Sequence, residues 1–472
     1  MTSLKFGTSG LRGLVSDLVG GPSYAYAAAF LRVVAAAGAS RTVAIGRDLR
    51  DSSPGIAATV ASAAAAIGFE AIDCGALPTP ALALEATRRG ACAVMVTGSH
   101  IPQNRNGLKF YRADGEITKA DEAAILAVLE GVSPAGGTAG THLSATPEPG
   151  AIDRYCRRYT DAFPPDGLTG LSVVVYQQSS VARDLLVDLL SSLGARAVPI
   201  GRSETFVPID TEAHRPEDIA FIRDAMASGS FDALVTTDGD ADRPLVADGA
   251  GRIVRGDVLG LITARHIGID AVVVPVTAGS ALERTGGFRR VVRTRVGSPF
   301  VIAGMDQARR EGARTVAGFE ANGGFLLGTD VALASGTLPA LPTRDAMLPI
   351  LATLAAARAA DKSLTDLVTS LEAGETASDR LPDIPADRSQ AFIANLGDAS
   401  FRATFLRPAG TPQALDRQDG LRIELDGGRT IHFRASGNAP ELRCYAEARS
   451  AAEAQDLVRW GLEAAARAMA VK

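Results

Sequence analysis

The sequence is short of several things, and each shortage excludes a class of protein. It has four cysteines, Cys74, Cys92, Cys156 and Cys444, far apart and with no Cys-x-x-Cys pair. Without a Cys-x-x-Cys pair no structural zinc site is expected, and sparse, scattered thiols fit a reducing compartment where they stay free. No run of about 18 apolar residues occurs, so no membrane-spanning helix is expected. The opening Met1-Thr2-Ser3-Leu4-Lys5-Phe6-Gly7 lacks the basic-then-apolar order of a secretory leader, and a cytoplasmic location is the expectation. Basic charge is not in excess, with 48 Lys and Arg against 53 Asp and Glu and a net charge of −5. That balance argues against nucleic acid or a membrane surface as partner. A local arginine cluster could still hold an anionic small molecule. Histidine is scarce, at five residues, and His142, His214, His266 and His432 have no neighbours at metal-ligand spacing. These four read as structural or solvated, and the single tryptophan, Trp460, reads as packing.

What is present is ordinary for a globular chain: 46% hydrophobic and 21% charged residues over a length of 472. At roughly 100–200 residues per domain this suggests about three or four domains. Short apolar runs alternate with amphipathic, alanine-rich stretches. Thr42–Asp48 and Ala91–Val96 read as buried strands, with helices over Pro54–Phe69 and Ala120–Leu129. Val132–Gly150, rich in Gly, Pro, Ser and Thr, reads as a linker. A second unit follows with strand Leu171–Tyr176, helix Val181–Leu193 and strand Asp232–Val235. A third has strands Ala271–Val276 and Thr315–Gly318 and closes on a long helical stretch, Arg344–Leu371. After the charged, proline-containing SDRLPDIPADRSQ come β-runs Leu421–Leu425 and Thr430–Arg434 around Asp426-Gly427-Gly428, a hairpin signal, and a helix from about Ala451.

The expected fold is therefore α/β, with three similar α/β domains of mixed, mostly parallel sheets plus a smaller C-terminal α+β domain, around one central cleft. The expected divisions are 1–150, 151–254, 255–372 and 373–472. Ligands of open α/β sheets bind beyond the carboxyl ends of the strands. Three strands here end in unusual polar loops, at Ser99, Asp238 and Glu320, and a fourth such loop is Arg434–Arg443.

The first loop reads Thr97-Gly98-Ser99-His100-Ile101-Pro102 and runs on to Lys109. A hydroxyl nucleophile needs a base, and a phosphoryl group needs cations nearby. A hydrolase elbow is excluded, because glycine is absent two before and two after the serine, where Thr97 and Ile101 stand. The second loop, Asp238-Gly239-Asp240-Ala241-Asp242-Arg243, alternates three carboxylates after an apolar strand. Three anions so close repel unless a cation joins them, and hard divalent ions take oxygen ligands. The calcium-loop spacing fails, since Arg243 and Gly249 stand where glycine and glutamate are required. The third loop, Gly318-Phe319-Glu320-Ala321-Asn322-Gly323-Gly324, offers a carboxylate and an amide to sugar hydroxyls. The fourth, Arg434-Ala435-Ser436-Gly437-Asn438-Ala439-Pro440-Glu441-Leu442-Arg443, combines guanidinium forks with a turn, as in a phosphate nest. The opening Gly7-Thr8-Ser9-Gly10-Leu11-Arg12-Gly13 is only loosely like a dinucleotide loop and does not follow a strand in a βαβ unit.

Taken together and in order, FGTSGLRG, TGSHIPQNRNGLK, DGDADR, GFEANGG and RASGNAPELR resemble the α-D-phosphohexomutase superfamily over essentially the whole chain. The resemblance implies a phosphohexomutase, an isomerase in which a phosphoserine exchanges its phosphoryl group with a hexose phosphate. Ser99 matches that serine, with Asp238, Asp240 and Asp242 holding Mg²⁺ against it. Arg12 and Lys109 match cations beside the phosphoserine, and His100 is its titratable neighbour. Glu320 and Asn322 fall in the sugar loop, with Arg243 and Arg295 on the substrate side. Arg434, Ser436, Gly437, Asn438 and Arg443 match the site for the phosphate not being transferred.

The departures carry information. Gly98-Ser99-His100-Ile101-Pro102 stands where most members have Ala-Ser-His-Asn-Pro, Asn322 where most have serine, and Asn438 where threonine is usual. This set is similar to that of phosphomannomutases supplying GDP-mannose for bacterial surface polysaccharide. It implies mannose 6-phosphate and mannose 1-phosphate as substrates and a hexose 1,6-bisphosphate as activator. The chain is expected to act as a monomer or small homo-oligomer. A phosphoglucomutase or phosphoglucosamine mutase is the alternative. An aspartyl-phosphate phosphatase usually has threonine or valine where Asp242 stands, and a non-catalytic binder has no need of a nucleophile.

Overall fold

The structure is a computed structural model describing residues 2–7, 10–133, 145–285, 287–436 and 440–470. Two compact units emerge: Met1–Val272 with Gly297–Val368, and Val273–Val296 with Thr369–Lys472.

Three sheets organise the first unit. In the first, strand Thr42–Arg47 lies between Glu70–Ala76 and Cys92–Val96, and both pairings are parallel. Every residue of Cys92–Val96 is buried. A central strand covered on both faces is apolar throughout, which is why ACAVMV shows no alternation in the sequence. Arg105–Arg112 runs antiparallel to Cys92–Val96, pairing Met95 with Lys109, and Gly10–Leu14 pairs onto its far side with Arg12 opposite Gly107. These two ladders place Arg12 and Lys109 next to the end of the strand that leads to Ser99. In the second sheet, Ser172–Gln178 lies parallel to both Arg196–Arg202 and Ala233–Thr237. Ala233–Thr237 then pairs antiparallel with Pro244–Asp248, so the aspartate loop is the turn between two buried strands. In the third, Val316–Phe319 turns back through the glutamate loop onto Phe325–Leu327, which pairs antiparallel with Leu341–Asp345. Among the described residues no helix is long and apolar enough to cross a membrane.

The second unit carries an antiparallel sheet in the order Glu375–Pro382, Glu441–Ala448, Thr430–Ala435, Leu421–Leu425, Pro412–Asp416. The Asp426-Gly427-Gly428 turn joins its two predicted strands, with both glycines at positive φ (71° and 74°). Ala386–Gly397 and Ala451–Ala470 cover one face. Trp460 packs there against Phe405, with ring centroids 5.5 Å apart.

Two expectations change. The predicted helix Arg344–Leu371 begins as a strand, continues as helix Met347–Ala359, breaks at Asp361 (φ 51°) and resumes as Leu364–Thr369. Pairing with Phe325–Leu327 and the polar contacts of three buried side chains outweigh the local helical pattern at Thr343, Arg344 and Asp345. The charged SDRLPDIPADRSQ holds an edge strand, Glu375–Pro382, and the start of a helix. That strand is mostly exposed, so it has no apolar alternation to read. Of the predicted linker, 134–144 lie outside the described residues, and Thr146–Pro147 forms a short strand parallel to Glu70–Ala76.

Strand Leu341–Asp345 is held through buried groups. Asp345 accepts hydrogen bonds from Tyr155 Oη (2.6 Å), from Tyr159 Oη and from the Met347 amide (2.9 Å). Asp345→Ala should therefore strand two buried phenols, at about 1–3 kcal/mol for each unmet group. A clear fall in the chemical-denaturation midpoint is expected, and an unchanged midpoint would contradict this anchoring.

Candidate active site

Ser99 sits where Cys92–Val96 ends, in a loop shaped from beneath. It has a left-handed backbone (φ 53°) and is fully buried. Such a conformation is costly for a residue with a Cβ and persists only when its surroundings impose it. Here Asp48 accepts from Thr97 Oγ1 (2.8 Å), the Gly98 amide (3.2 Å), Ser53 Oγ (2.5 Å) and Arg50 Nε (3.1 Å). Arg50 donates in turn to the carbonyls of Ser99 (3.0 Å), Ile101 (2.6 Å) and Pro102 (2.9 Å). A Cβ on Gly98 would come within 2.7 Å of this guanidinium, so the glycine is needed for the close approach. Asp48 and Arg50 were not picked out from the sequence. The signal was there, in an acid and a base two residues apart beyond a strand end.

The aspartate loop closes on Ser99. Ser99 Oγ donates to Asp238 Oδ2 at 2.5 Å, and a Cβ on Gly239 would meet the Ser99 carbonyl at 3.0 Å. Asp238, Asp240 and Asp242 are all buried, with one oxygen from each lying within 4.8 Å of the others. Lys109 Nζ donates to Asp240 Oδ2 (2.6 Å) and to Asp242 Oδ2. Thr79 donates to Asp240 through both its amide, onto the carbonyl (2.9 Å), and its hydroxyl, onto the carboxylate. Burial, followed by repulsion from Asp240 and Asp242, holds the Asp238 carboxyl well above the usual carboxylate range. Burial also opposes charge on Asp242, but Arg344, Lys109 and Arg243 hold it below that range. Asp240 Oδ1 and Asp242 Oδ1 are buried with no hydrogen-bond partner. Oxygens left open in this way beside a serine hydroxyl form an all-oxygen donor set, which suits a hard divalent cation.

Of the remaining predicted residues, Arg12, His100, Arg243, Glu320 and Asn322 belong to the first unit. Arg12 lies close enough that burial, Arg243 and Arg344 bring its guanidinium down to about 10, while Asp240 and Asp242 pull the other way. His100 Nδ1 stands 3.3 Å from Ser99 Oγ and 2.8 Å from Arg243 Nη1, and its Nε2 is 4.0 Å from Asp210 Oδ2. Burial first, then Arg243 and Arg12, push the imidazole down to about 3, so it is neutral and accepts from Arg243. Glu320 is buried and takes Arg344 Nη1 on Oε2 at 3.3 Å. Asn322 Oδ1 accepts the Gly324 amide (3.0 Å) and its carbonyl accepts Thr211 Oγ1 (2.9 Å), so the amide oxygen shapes the loop. Arg344 was missed because its segment read as helix.

In the second unit, Arg434 Nε donates to Asp419 Oδ2 at 2.8 Å, and Arg434 Nη1 is buried without a hydrogen-bond partner. Asp419 Oδ2 also accepts the amide of Val296, next to Arg295 (3.1 Å). Arg443 is tied to Glu441, and Ser436 is buried. Gly437 and Asn438 lie outside the described residues, as does His142. His432 is structural as expected, with Nε2 on the Asp419 carbonyl (2.7 Å) and burial pushing it down to about 4.

Comparison with known proteins covers the chain from end to end. Four models of phosphoglucomutase/phosphomannomutase match: alpha/beta/alpha domain I at residues 3–134, domain II at 153–251, domain III at 255–373 and the C-terminal domain at 380–459. A phosphomannomutase of Sinorhizobium fredii is 46% identical, covering 97% of this chain and 98% of its own. A phosphomannomutase of Salmonella muenchen is 43% identical (97% and 94%), and a phosphoglucosamine mutase of Pelotomaculum thermopropionicum 29% (96% and 97%). Among solved structures, a putative phosphomannomutase of Thermus thermophilus superposes with a TM-score of 0.76 at 23% identity, covering all of both chains. A phosphoglucomutase/phosphomannomutase family protein of Burkholderia thailandensis gives 0.77 at 21% identity, over 97% of each.

The Asp48–Arg50 pair is fully buried and carries the serine loop. Arg50→Met leaves the Asp48 charge uncompensated and should cost about 3–5 kcal/mol. Equilibrium unfolding of both proteins measures this, and a loss below about 1 kcal/mol would mean that the loop stands without the pair.

Proposed function

The chain belongs to the phosphoglucomutase/phosphomannomutase family, and on that premise we propose that it interconverts mannose 6-phosphate and mannose 1-phosphate through a phosphoryl group carried on Ser99. The observation that carries the reading is the 2.5 Å hydrogen bond from Ser99 Oγ to Asp238, at the edge of a buried aspartate cluster in which Asp240 Oδ1 and Asp242 Oδ1 have no hydrogen bond. The two phosphomannomutases stand at 46% and 43% identity against 29% for the phosphoglucosamine mutase, which favours mannose. We assign the enzyme to the supply of GDP-mannose for surface polysaccharide.

Asp238, Asp240, Asp242 and Ser99 Oγ would hold Mg²⁺. When bound, the ion supplies Lewis-acid charge withdrawal from the phosphoryl oxygens. The chain's own groups do the rest. Lys109 and Arg12 provide fixed positive charge where the transition state spreads negative charge over the transferring group. In the first transfer the P–O bond to Ser99 breaks and a P–O bond to the free sugar hydroxyl forms. The hydroxyl proton leaves to a base, and Ser99 regains a hydroxyl. The resulting hexose 1,6-bisphosphate presents its other phosphate to Ser99, and the reverse transfer restores the enzyme, so that no phosphate is consumed. A free hexose 1,6-bisphosphate activates by phosphorylating Ser99. His100, neutral and receiving Arg243, is assigned to orienting the loop. Glu320, Asn322, Arg243 and Arg295 are assigned to the sugar and its near phosphate, and Arg434, Ser436, Gly437, Asn438 and Arg443 to the idle phosphate. The domain divisions proposed are 1–150, 151–254, 255–372 and 373–472.

Incubation with a hexose bisphosphate should add one phosphoryl group to Ser99, stable to acid and hydroxylamine and absent from Ser99→Ala. A hydroxylamine-labile label that survives Ser99→Ala and is lost in Asp238→Ala would refute the serine mechanism. Coupled assays should give the highest kcat/KM on mannose 1-phosphate, and a preference for glucose or glucosamine phosphate would overturn the substrate assignment. Asp240→Asn should cut turnover by orders of magnitude while leaving circular dichroism unchanged, because it removes a cation ligand and no core packing. Near-normal turnover in saturating Mg²⁺ would sink the ligand assignment.

A further inference from the structure

Thr343, Arg344 and Asp345 are consecutive on one strand and all buried. Successive side chains of a strand point to opposite faces, so the outer two share one face and Arg344 takes the other. The outer two are pinned: Thr343 Oγ1 donates to Glu116 Oε1 (3.0 Å), and Asp345 accepts from Tyr155 and Tyr159. Glu116 is itself held by Ser298 Oγ on its other oxygen (2.8 Å). The backbone on either side of Arg344 is therefore fixed by partners from three separate segments.

The guanidinium reaches two acids with different tasks. Nε and Nη2 lie 3.1 and 3.0 Å from Asp242 Oδ2, and Nη1 lies 3.3 Å from Glu320 Oε2. Lys109 binds the same Asp242 oxygen, so Oδ2 takes hydrogen bonds from two cations, while Oδ1 has no hydrogen bond and stands 3.7 Å from Arg243 Nε. Gly324 makes room for the stem: a Cβ there would come within 2.8 Å of Arg344 Cδ and 2.9 Å of Cγ. The glycine of the sugar loop and the arginine thus fit as a pair.

We propose that Arg344 is a positioning residue that sets, through one planar fork, which oxygen of Asp242 faces the cation and how Glu320 is presented to the sugar. The inference rests on the functional reading above for the identities of cation and sugar. It predicts that one side chain outside both binding loops governs metal affinity and sugar affinity together. A plain charge-balancing role predicts neither, because any buried cation would then serve. Arginine is set apart from lysine by its fork, which spans two carboxylates in fixed geometry.

The test compares Arg344→Lys with the parent protein by Mn²⁺ binding, followed by electron paramagnetic resonance of the free ion, and by KM and kcat on mannose 1-phosphate. Changing a group that orients a metal ligand typically costs about 10–100-fold in affinity. Arg344→Lys should weaken Mn²⁺ by about tenfold or more and raise KM by a similar factor, with circular dichroism and melting midpoint close to the parent's. Glu320→Gln should raise KM while leaving Mn²⁺ affinity within about twofold, and adding it to Arg344→Lys should raise KM no further. Gly324→Ala, which displaces the stem without touching charge, should reproduce both losses and covers the case in which the lysine variant does not fold. Mn²⁺ affinity within about twofold of the parent's in both Arg344→Lys and Gly324→Ala, or additive KM effects, would overturn the positioning role. If the parent protein itself bound no Mn²⁺, the metal assignment would fall and this inference with it.

Discussion

Three carboxylates sealed from water within a few ångströms of one another form the constraint around which the first unit is arranged. Away from solvent, the repulsion among them is far stronger than at a surface, and one turn of chain cannot relieve it. Relief comes from elsewhere: Lys109 from the antiparallel strand after the serine loop, and Arg344 from the strand that follows the glutamate loop. Arg243 and Arg12 add to it, and they repel each other and Arg344 while doing so. The compensation is unequal: it holds the Asp242 carboxyl below the usual carboxylate range and leaves that of Asp238 well above it. The three carboxylates form a group that could hold a metal ion.

The same logic explains why the backbone here is forced into uncommon shapes. Ser99, Ala241 and Gln178 adopt positive φ without being glycine. The turn of Asp238–Arg243 is closed by the Asp238 amide on the Arg243 carbonyl (3.1 Å) and by the Arg243 amide on Asp238 Oδ1 (3.3 Å). Gln178 reaches the Thr237 carbonyl at 2.9 Å. Each of these contacts spends hydrogen bonds on keeping loops in place, the usual pattern where geometry matters more than local stability. The Asp48–Arg50 pair does for the serine loop what Thr79 does for Asp240: buried groups from a neighbouring segment hold it in place.

Strand Leu341–Asp345 shows how far such control extends. It is short and polar at its end, yet three successive buried side chains contact Glu116, then Asp242 with Glu320, then two tyrosines. Segments 20 to more than 200 residues away in sequence meet on three positions. Movement of this strand would shift the aspartate loop and the glutamate loop together, because Arg344 is bonded to both.

Much of this was legible in the sequence wherever the information is local. The spacing of Asp238, Asp240 and Asp242 after an apolar strand marked them as one carboxylate group, and the structure gathers them, buried, in one turn beside Ser99, which ends a buried strand as read. The Asp426-Gly427-Gly428 hairpin and the helix from Ala451 followed from turn chemistry and periodicity. Tertiary structure alone decided the rest. Arg344 lay in a stretch whose local pattern is helical, and it became a strand residue because Phe325–Leu327 offered pairing and Asp242 and Glu320 offered charge. The exposed edge strand Glu375–Pro382 had no apolar period to betray it. Residue type and short spacing are properties of the chain itself. The energy of a buried charge depends on distance and on exclusion of water, and both are set only when distant segments pack.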